Sequence, residues 1–461
     1  MNLKNVKNKP DLINDKIYNL FISIAIPSSI GTIFQTLYSI ADSIFAGQMI
    51  SKEALAAIGQ IFPIYFIIIS LGVGLGIGTS SLIANNIGEK KINNASHNFI
   101  QSLILTITIS IIITILGILF SKTILQKITD NQETLILSMD YIKIIFGGSV
   151  IIFLLFNFNS CLSAQGDTKS YRNVIIFSFI LNLLLNPILI SGNIYNFNLF
   201  NGFGIKGLAY STIFSQFIGI LYLWFKIKKT IIYKNIKKFY FFLDFEQIIK
   251  ILSQGIPASI GMMMISLGSF ILLVFVGKFG VDAISGYTAA LRYEQLFILP
   301  ILGLNTAVLS MVGQNYGAKN YRRVIEIYNK ALVIGCLILL SLSIIIFFSS
   351  EYAIKIFSNN HDVIYYGSKY LKISAFILPV YPIFFISNAL FQGLKKSIIV
   401  MYVSLLRFVF LPLICISLTM QFYEFKYEVI FLVLMLINWI VCLIYYFYTN
   451  NKLHKLILLS R

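Results

Sequence analysis

The sequence predicts an all-α, polytopic membrane protein with twelve transmembrane helices in two pseudo-symmetric six-helix lobes. Three observations predict this fold: 57% of the residues are hydrophobic, the apolar stretches are long, and the two halves of the chain resemble each other. Only 12% of the residues are charged, whereas an ordinary soluble domain carries about 25%. The composition therefore excludes an ordinary soluble globular protein.

The apolar stretches have the length that a bilayer requires. A helix needs about 20 apolar residues to cross the hydrocarbon core, and the chain contains twelve such stretches, six in each half. We number them as spans 1 to 12: 17–46, 53–86, 95–120, 134–163, 172–191, 207–227, 247–277, 283–315, 324–349, 363–391, 397–420 and 428–449.

An internal repeat divides the spans into two lobes. Pro27 matches Pro257 and Gly47 matches Gly277, both at a displacement of 230 residues. Fused halves of several apolar helices are common among secondary transporters. The predicted boundaries are an N-terminal lobe at 1–228, a cytoplasmic amphipathic linker at 229–246 and a C-terminal lobe at 247–461.

The formal net charge of +18 is distributed asymmetrically around the spans. Lysine and arginine are concentrated in the tail before span 1 and in the loops that share its side, above all in 226–250. The positive-inside rule then places both termini and the linker in the cytoplasm, and we expect the spans to lie in the plasma (inner) membrane. The linker mixes lysine with phenylalanine, tyrosine and isoleucine, which favours the anionic bilayer surface as its partner over calmodulin-like proteins or nucleic acid.

Cysteines and histidines give no sign of a metal centre or an enzyme. The four cysteines lie in apolar spans, without the spacing of a zinc site or a disulfide framework. The three histidines lie at span ends or in loops, whereas a membrane-embedded acyltransferase or protease needs a positioned base or nucleophile. We therefore expect no enzymatic activity and no cofactor.

Span 1 carries a polar face. Gln35, Tyr38 and Asp42 follow one another at helical spacing, and an acid within a membrane helix faces the bundle or a water-filled cavity by default. An interfacial carboxylate near the outer end of the helix is the alternative. Pro27, in the same span, leaves the carbonyl of Ser23 without its helical donor and marks a hinge or a static bend.

Spans 5 and 6 supply neutral oxygen ligands. Asn182 and Asn186 lie one turn apart and Pro187 follows directly, an arrangement that transporters use to coordinate Na+ or H+. Hydrogen bonding between helices is the alternative role for the two asparagines. Thr212 and Gln216 likewise lie one turn apart on span 6.

The second half does not copy this chemistry. Span 7 has no acid at the position that corresponds to Asp42, and its notable residues are Met262, Met263 and Met264. Methionine adapts to varied ligands. Span 8 carries Arg292 and Glu294, whose spacing puts them on different faces, so each is expected to pair with another helix. The candidate partners of Glu294 are Arg407, Lys369 and Lys372.

The residues together resemble the multidrug and toxic compound extrusion (MATE) family. The pattern is carried by order and spacing along nearly the whole chain: Pro27, Gln35, Asp42, Gly47, Ala54–Gly59, Gly88, Gln165–Thr168, Asn182–Pro187, Pro257, Val312–Ala318, Arg323 and Gln392–Gly393. We expect the chain to work as a monomer, and the resemblance implies a central cavity. It also implies an antiporter that exports organic, cationic drugs or toxic compounds by alternating access, coupled to Na+ or H+.

The resemblance also implies site residues. The cation site falls on Asp42, Asn182, Asn186 and Thr212. On span 4 the family pattern selects Asn159, because Asn157 points about 160° away from it. The residues expected to line the substrate cavity are Gln35, Tyr38, Asn159, Gln216, Met262 and Met263, and Arg292 with Glu294 forms a polar pair of the second lobe.

Two departures from the family leave the coupling ion open. Some members have aspartate at the position of Asn186, and the acids that some members carry on spans 7 and 10 are absent. Na+ binding at the cation site and protonation of Asp42, favoured by desolvation, both remain alternatives. A relative of the same architecture that flips a lipid-linked precursor is the alternative function; it requires a strongly cationic cavity.

Overall fold

A computed structural model describes residues 10–129, 131–194, 197–198, 200–422 and 426–458. Within these residues the regular secondary structure is helical apart from a two-residue antiparallel pairing of β1 (Asn193–Ile194) with β2 (Phe197–Asn198). The α-helices are α1 Ile17–Phe45, α2 Lys52–Gly88, α3 Ile92–Gln126, α4 Gln132–Gly147, α5 Ser149–Ser163, α6 Lys169–Ser191, α7 Ile205–Lys228, α8 Ile231–Lys234, α9 Phe245–Val276, α10 Val281–Gly317, α11 Tyr321–Lys355, α12 His361–Ser374, α13 Tyr381–Gly393, α14 Ser397–Leu405, α15 Leu411–Phe422 and α16 Tyr427–Leu458.

Short tighter or wider turns join or extend several of these helices. A wide π-helical turn at Ala46–Ile50 follows α1. A second π-helical turn, at Leu406–Phe410, lies between α14 and α15. Tight 3₁₀ turns lie at Lys238–Phe241, Gly277–Phe279 and Leu378–Val380. A π turn inserts an extra residue and changes which side chains face a neighbour, and such turns are frequent at functional sites.

The predicted all-α membrane fold is confirmed. Eleven helical stretches of the described chain are long and apolar enough to cross a membrane, and α4 with α5 makes a twelfth if that pair, bent by 48°, is one span. The bend falls where Gly147 is followed by Gly148, and Gly148 ends α4. A Cβ added at Gly148 would lie 2.3 Å from Cδ1 of Ile213 on α7, so a larger residue does not fit at the bend without a shift of its neighbours.

The described chain forms two compact units. The first unit contains residues 30–259, and the second contains residues 10–29 and 260–458. Helices α1 and α9 each pass from one unit to the other a few residues after a proline of the repeat, Pro27 or Pro257. The predicted lobe boundaries place 10–29 and 247–259 differently, because a boundary drawn from sequence keeps each helix whole.

Small and amide residues bring the helices of the first unit close together. A Cβ added at Gly72 of α2 would lie 2.8 Å from the ring of Phe156 on α5, which shows how closely these helices pack. On the other side of α5, the buried Asn157 donates from Nδ2 to Ser102 Oγ at 3.0 Å and to Thr106 Oγ1 at 3.1 Å, both on α3. Asn157 thus joins two helices, and the half-buried Asn159 faces elsewhere.

Candidate functional site

Asp42 lies near the end of α1 and is buried, with only 6% of its surface exposed. Asn186 donates from Nδ2 to Asp42 Oδ1 at 3.0 Å, and Thr212 donates from Oγ1 to Asp42 Oδ2 at 3.1 Å. Each carboxyl oxygen therefore has a donor from a different helix, α6 or α7. Asp42 is thus enclosed by side chains of the first unit.

The two asparagines of α6 donate hydrogen bonds to each other next to Asp42. Asn186 donates from Nδ2 to Asn182 Oδ1 at 3.0 Å, and Asn182 donates from Nδ2 to Asn186 Oδ1 at 3.3 Å. Both residues are fully buried. Asn182 also donates to Ser211 Oγ of α7 at 3.0 Å. The amides therefore serve in the packing of α6 against α7 and also present oxygen atoms next to the acid.

Sequence reasoning missed part of this cluster. Ser211 gave no signal because it precedes Thr212 and so lies on a different face of an ideal helix by periodicity alone. Tyr141 of α4 interacts with the side chain of Thr212, and Tyr65 of α2 interacts with that of Gln216. The chain has 26 tyrosines, and nothing in the sequence distinguishes these two.

The predicted cavity residues are not all brought to this cluster. Tyr38 is buried and donates from its hydroxyl to the backbone oxygen of Thr212 at 3.4 Å. Gln35 and Asn159 are half-buried, and within the described residues no side-chain hydrogen bond joins either of them to Asp42. Met262 and Met263 are half-buried in the second unit. That these side chains line a substrate cavity remains a prediction.

The cluster suits a monovalent ion or a proton. It holds one carboxylate among amide and hydroxyl oxygens, which are hard ligands. In the described part of the chain, three or more histidine, cysteine or acidic side chains do not come together anywhere as a metal centre. The described residues therefore hold no site for a divalent ion built from several carboxylates. The one negative charge that a bound cation would balance in this cluster is that of Asp42.

The second unit contains a different buried polar cluster, around Glu294 of α10. Glu294 is 3% exposed, accepts a hydrogen bond from the Tyr370 hydroxyl of α12, and lies beside Tyr381 of α13. Arg407, in the π turn after α14, is 2% exposed and donates from Nε to Asn438 Oδ1 at 2.7 Å. These charged side chains are buried together although no direct ion pair links them.

Aromatic rings fill the space next to Arg407. The guanidinium carbon lies 4.8 Å from the ring centre of Tyr381, 4.2 Å from that of Phe384 and 4.8 Å from that of Phe408. Such contacts stabilise a desolvated cation. Tyr381 also interacts with Glu294, so its side chain connects the two charges.

The structure corrects three expectations about the second half. Arg292 is exposed and makes no ion pair or hydrogen bond within the described residues, so the buried cation of this unit is Arg407. Lys369 pairs with Glu428 at 3.3 Å, and Lys372 pairs with Glu351 at 2.8 Å. Neither lysine is a partner of Glu294, because both keep their charged ends near the surface, where water solvates them.

We expect Arg407→Met to destabilise the protein by about 2–5 kcal/mol, because it removes a charged hydrogen bond to the buried Asn438 and three contacts between the guanidinium and aromatic rings. The substitution leaves Glu294 buried without a compensating charge. The matched control is Arg292→Met, which removes an exposed guanidinium from the same unit and should change stability little. Thermal unfolding in detergent measures both. Equal shifts for the two variants would contradict the assignment, and Glu294→Gln combined with Arg407→Met should recover part of the loss.

Comparison with known proteins adds family evidence. The MatE family model matches residues 27–188 and 257–416. The chain is 28% identical to the probable multidrug resistance protein YpnP of Bacillus subtilis, over 86% of this chain and 87% of that protein. It is 25% identical to the FAD transporter of Shewanella oneidensis, over 69% of each chain. A crystal structure of MATE in the bent conformation matches with a TM-score of 0.90 and 26% identity, covering 97% of this chain and 98% of that one.

Proposed function

The chain belongs to the MatE family of transporters, and we propose that it is an antiporter that exports small organic molecules in exchange for Na+ or H+. One observation carries the proposal: Asp42 is buried and accepts hydrogen bonds from Asn186 and Thr212. A buried acid in a membrane protein is costly, and its usual role is on an ion pathway. The family is one of transporters, so the chain is not an enzyme.

The coupling mechanism follows from this cluster. When Asp42 takes up Na+ or a proton, its negative charge is balanced, and the hydrogen bonds from Asn186 and Thr212 no longer have the same acceptor. Occupied and empty sites therefore favour different arrangements of α1, α6 and α7. A ligand shifts a conformational equilibrium only through such a difference in interaction energy, which is what alternating access requires.

Charge favours a cationic organic cargo. Asp42 is the one buried charged side chain of the first unit within the described residues, and it attracts positive charge. YpnP is named as a probable multidrug resistance protein, which supports a drug-like cargo. An anionic cargo such as FAD, or a lipid-linked precursor, would need a cationic lining. The buried cation Arg407 instead lies against three rings and Asn438.

Expression in an efflux-deficient bacterial host tests this function. We expect the chain to raise the concentrations of organic cations that inhibit growth and to speed the loss of ethidium from preloaded cells. Tolerance to anionic compounds should not change, which serves as the internal control. Export of FAD or of lipid-linked anions in preference to ethidium would contradict the cargo assignment.

The cellular placement is proposed on the same basis. Transport of drugs out of a cell requires the plasma membrane, and the lysine distribution puts both termini on its cytoplasmic side. The terminal residues 1–9 and 459–461 lie outside the described residues. The proposed working form is a monomer.

A further inference from the structure

The segment 238–244 between α8 and α9 is held against α3 by a buried glutamine. We call this segment the strap. Gln101 is fully buried, and its Nε2 donates to the backbone oxygens of Tyr240 at 2.8 Å and Phe242 at 2.7 Å. Its Oε1 accepts from the backbone N–H of Asp244 at 3.1 Å. One side chain thus satisfies three backbone groups, which fixes the path of a segment whose regular structure is limited to the 3₁₀ turn Lys238–Phe241.

Two further contacts hold the strap to α3. His97 Nε2 lies 2.8 Å from Asp244 Oδ2, and its ring lies 4.7 Å from that of the buried Tyr240. The hydrogen bond with His97 holds the pKa of Asp244 below its usual value. The inner face of the strap is therefore packed and bonded.

The outer face of the strap is apolar and uncovered. Phe241 is 62% exposed, Phe242 is 76% exposed and Leu243 is 59% exposed. These residues lie between the candidate spans that end at Lys228 and begin at Phe245, so they are not part of the lipid-facing surface of a transmembrane helix. Three consecutive large apolar side chains that are rigidly presented need a partner, because exposed patches of this kind mark interaction sites.

The charge beside the strap indicates which partner it has. Residues 226–243 contain six lysines and no acidic residue: Lys226, Lys228, Lys229, Lys234, Lys237 and Lys238. A cluster of four to eight basic residues next to a transmembrane helix is typical of binding to anionic lipids. Aromatic side chains beside the lysines suit the boundary between headgroups and acyl chains.

We propose that the strap is a membrane anchor, in which Phe241, Phe242 and Leu243 enter the headgroup region of an anionic leaflet beside the lysine cluster. Gln101 and His97 hold the backbone so that these side chains point away from α3. This preorganisation lowers the entropy cost of binding. The inference concerns a surface distant in sequence from Asp42 and does not depend on the transport proposal.

A fluorophore on the strap tests the anchor. The full chain, with its four native cysteines replaced by alanine and Phe242→Cys labelled with an environment-sensitive dye, is placed in nanodiscs. In discs containing phosphatidylglycerol we expect blue-shifted emission and quenching by a headgroup-level spin label. In discs of phosphatidylcholine alone, and after replacement of the six lysines by glutamine, both effects should weaken. Water-like emission in both lipids would overturn the proposal.

Two variants separate anchoring from a general effect of lipid. Leu119→Cys labels a 65% exposed position on α3 within a membrane span, and its emission should be the same in both lipids. Gln101→Leu, which keeps the size but removes the three hydrogen bonds, should reduce quenching at position 242 and leave it unchanged at 119. A shift at 242 produced by calmodulin or RNA, but not by phosphatidylglycerol, would also overturn the proposal. None of these readouts requires transport.

Discussion

Replacing Asp42 by asparagine is expected to abolish cation-coupled efflux, with a loss of at least about 100-fold. The substitution keeps the shape of the side chain and one oxygen acceptor but removes both the negative charge and the titratable proton. Changing even the outer neighbours of a bound metal ion costs about 10–100-fold in affinity, and Asp42 is the central group of this site. The measurement is ethidium efflux from cells containing equal amounts of each variant.

The first unit offers a matched control. Asp140→Asn makes the same chemical change at a half-exposed carboxylate of α4, whose Oδ2 lies 3.4 Å from Lys206 Nζ. An ion pair of this kind contributes little to stability, so efflux should stay near the wild-type rate. Full activity of Asp42→Asn would remove the site assignment. Equal losses for the two variants would show a general sensitivity to charge in this unit.

Helical periodicity predicted only part of the cluster around Asp42, and the resemblance to the MATE family implied the rest. Asn182 and Asn186 are four residues apart, and that spacing alone places them on one face of α6. An acid in an apolar span is expected to face polar neighbours, but it was the resemblance to the MATE family that implied Asn186 and Thr212 as the neighbours of Asp42. The contacts observed at Asn186 and Thr212 agree with this reasoning.

Helical periodicity did not predict the buried polar cluster of the second unit. Spacing separates Arg292 from Glu294 but does not say which of the two faces is buried, and the structure buries Glu294. Arg407 sits in a π turn, which shifts the register of a helix without a clear sequence signal. Gln101 was not predicted at all, because its partners are backbone groups of the strap and leave no pattern in the side chains.

An imposed Na+ gradient at equal pH is expected to drive export in proteoliposomes, and removal of Na+ should lower the rate to about one tenth or less, the scale on which lost ligand interactions reduce metal-dependent activity. In the structure Asn186 donates its N–H to Asp42. Turning the amide by 180° presents its oxygen to the same position. This oxygen can ligate Na+, but an amide cannot carry a proton at neutral pH.

Asn186→Leu separates the two ions, because it removes the amide oxygen and leaves the titratable Asp42 in place. Under Na+ coupling we expect the variant to lose Na+-driven export as severely as Asp42→Asn. Under proton coupling, Asp42 would still take up its proton and a pH gradient would still drive export. The control is thermal unfolding of the variant, which should match that of the wild-type chain if the packing of α6 against α7 survives. Transport driven equally well by a pH gradient without Na+, and retained in Asn186→Leu, would establish H+ as the coupling ion.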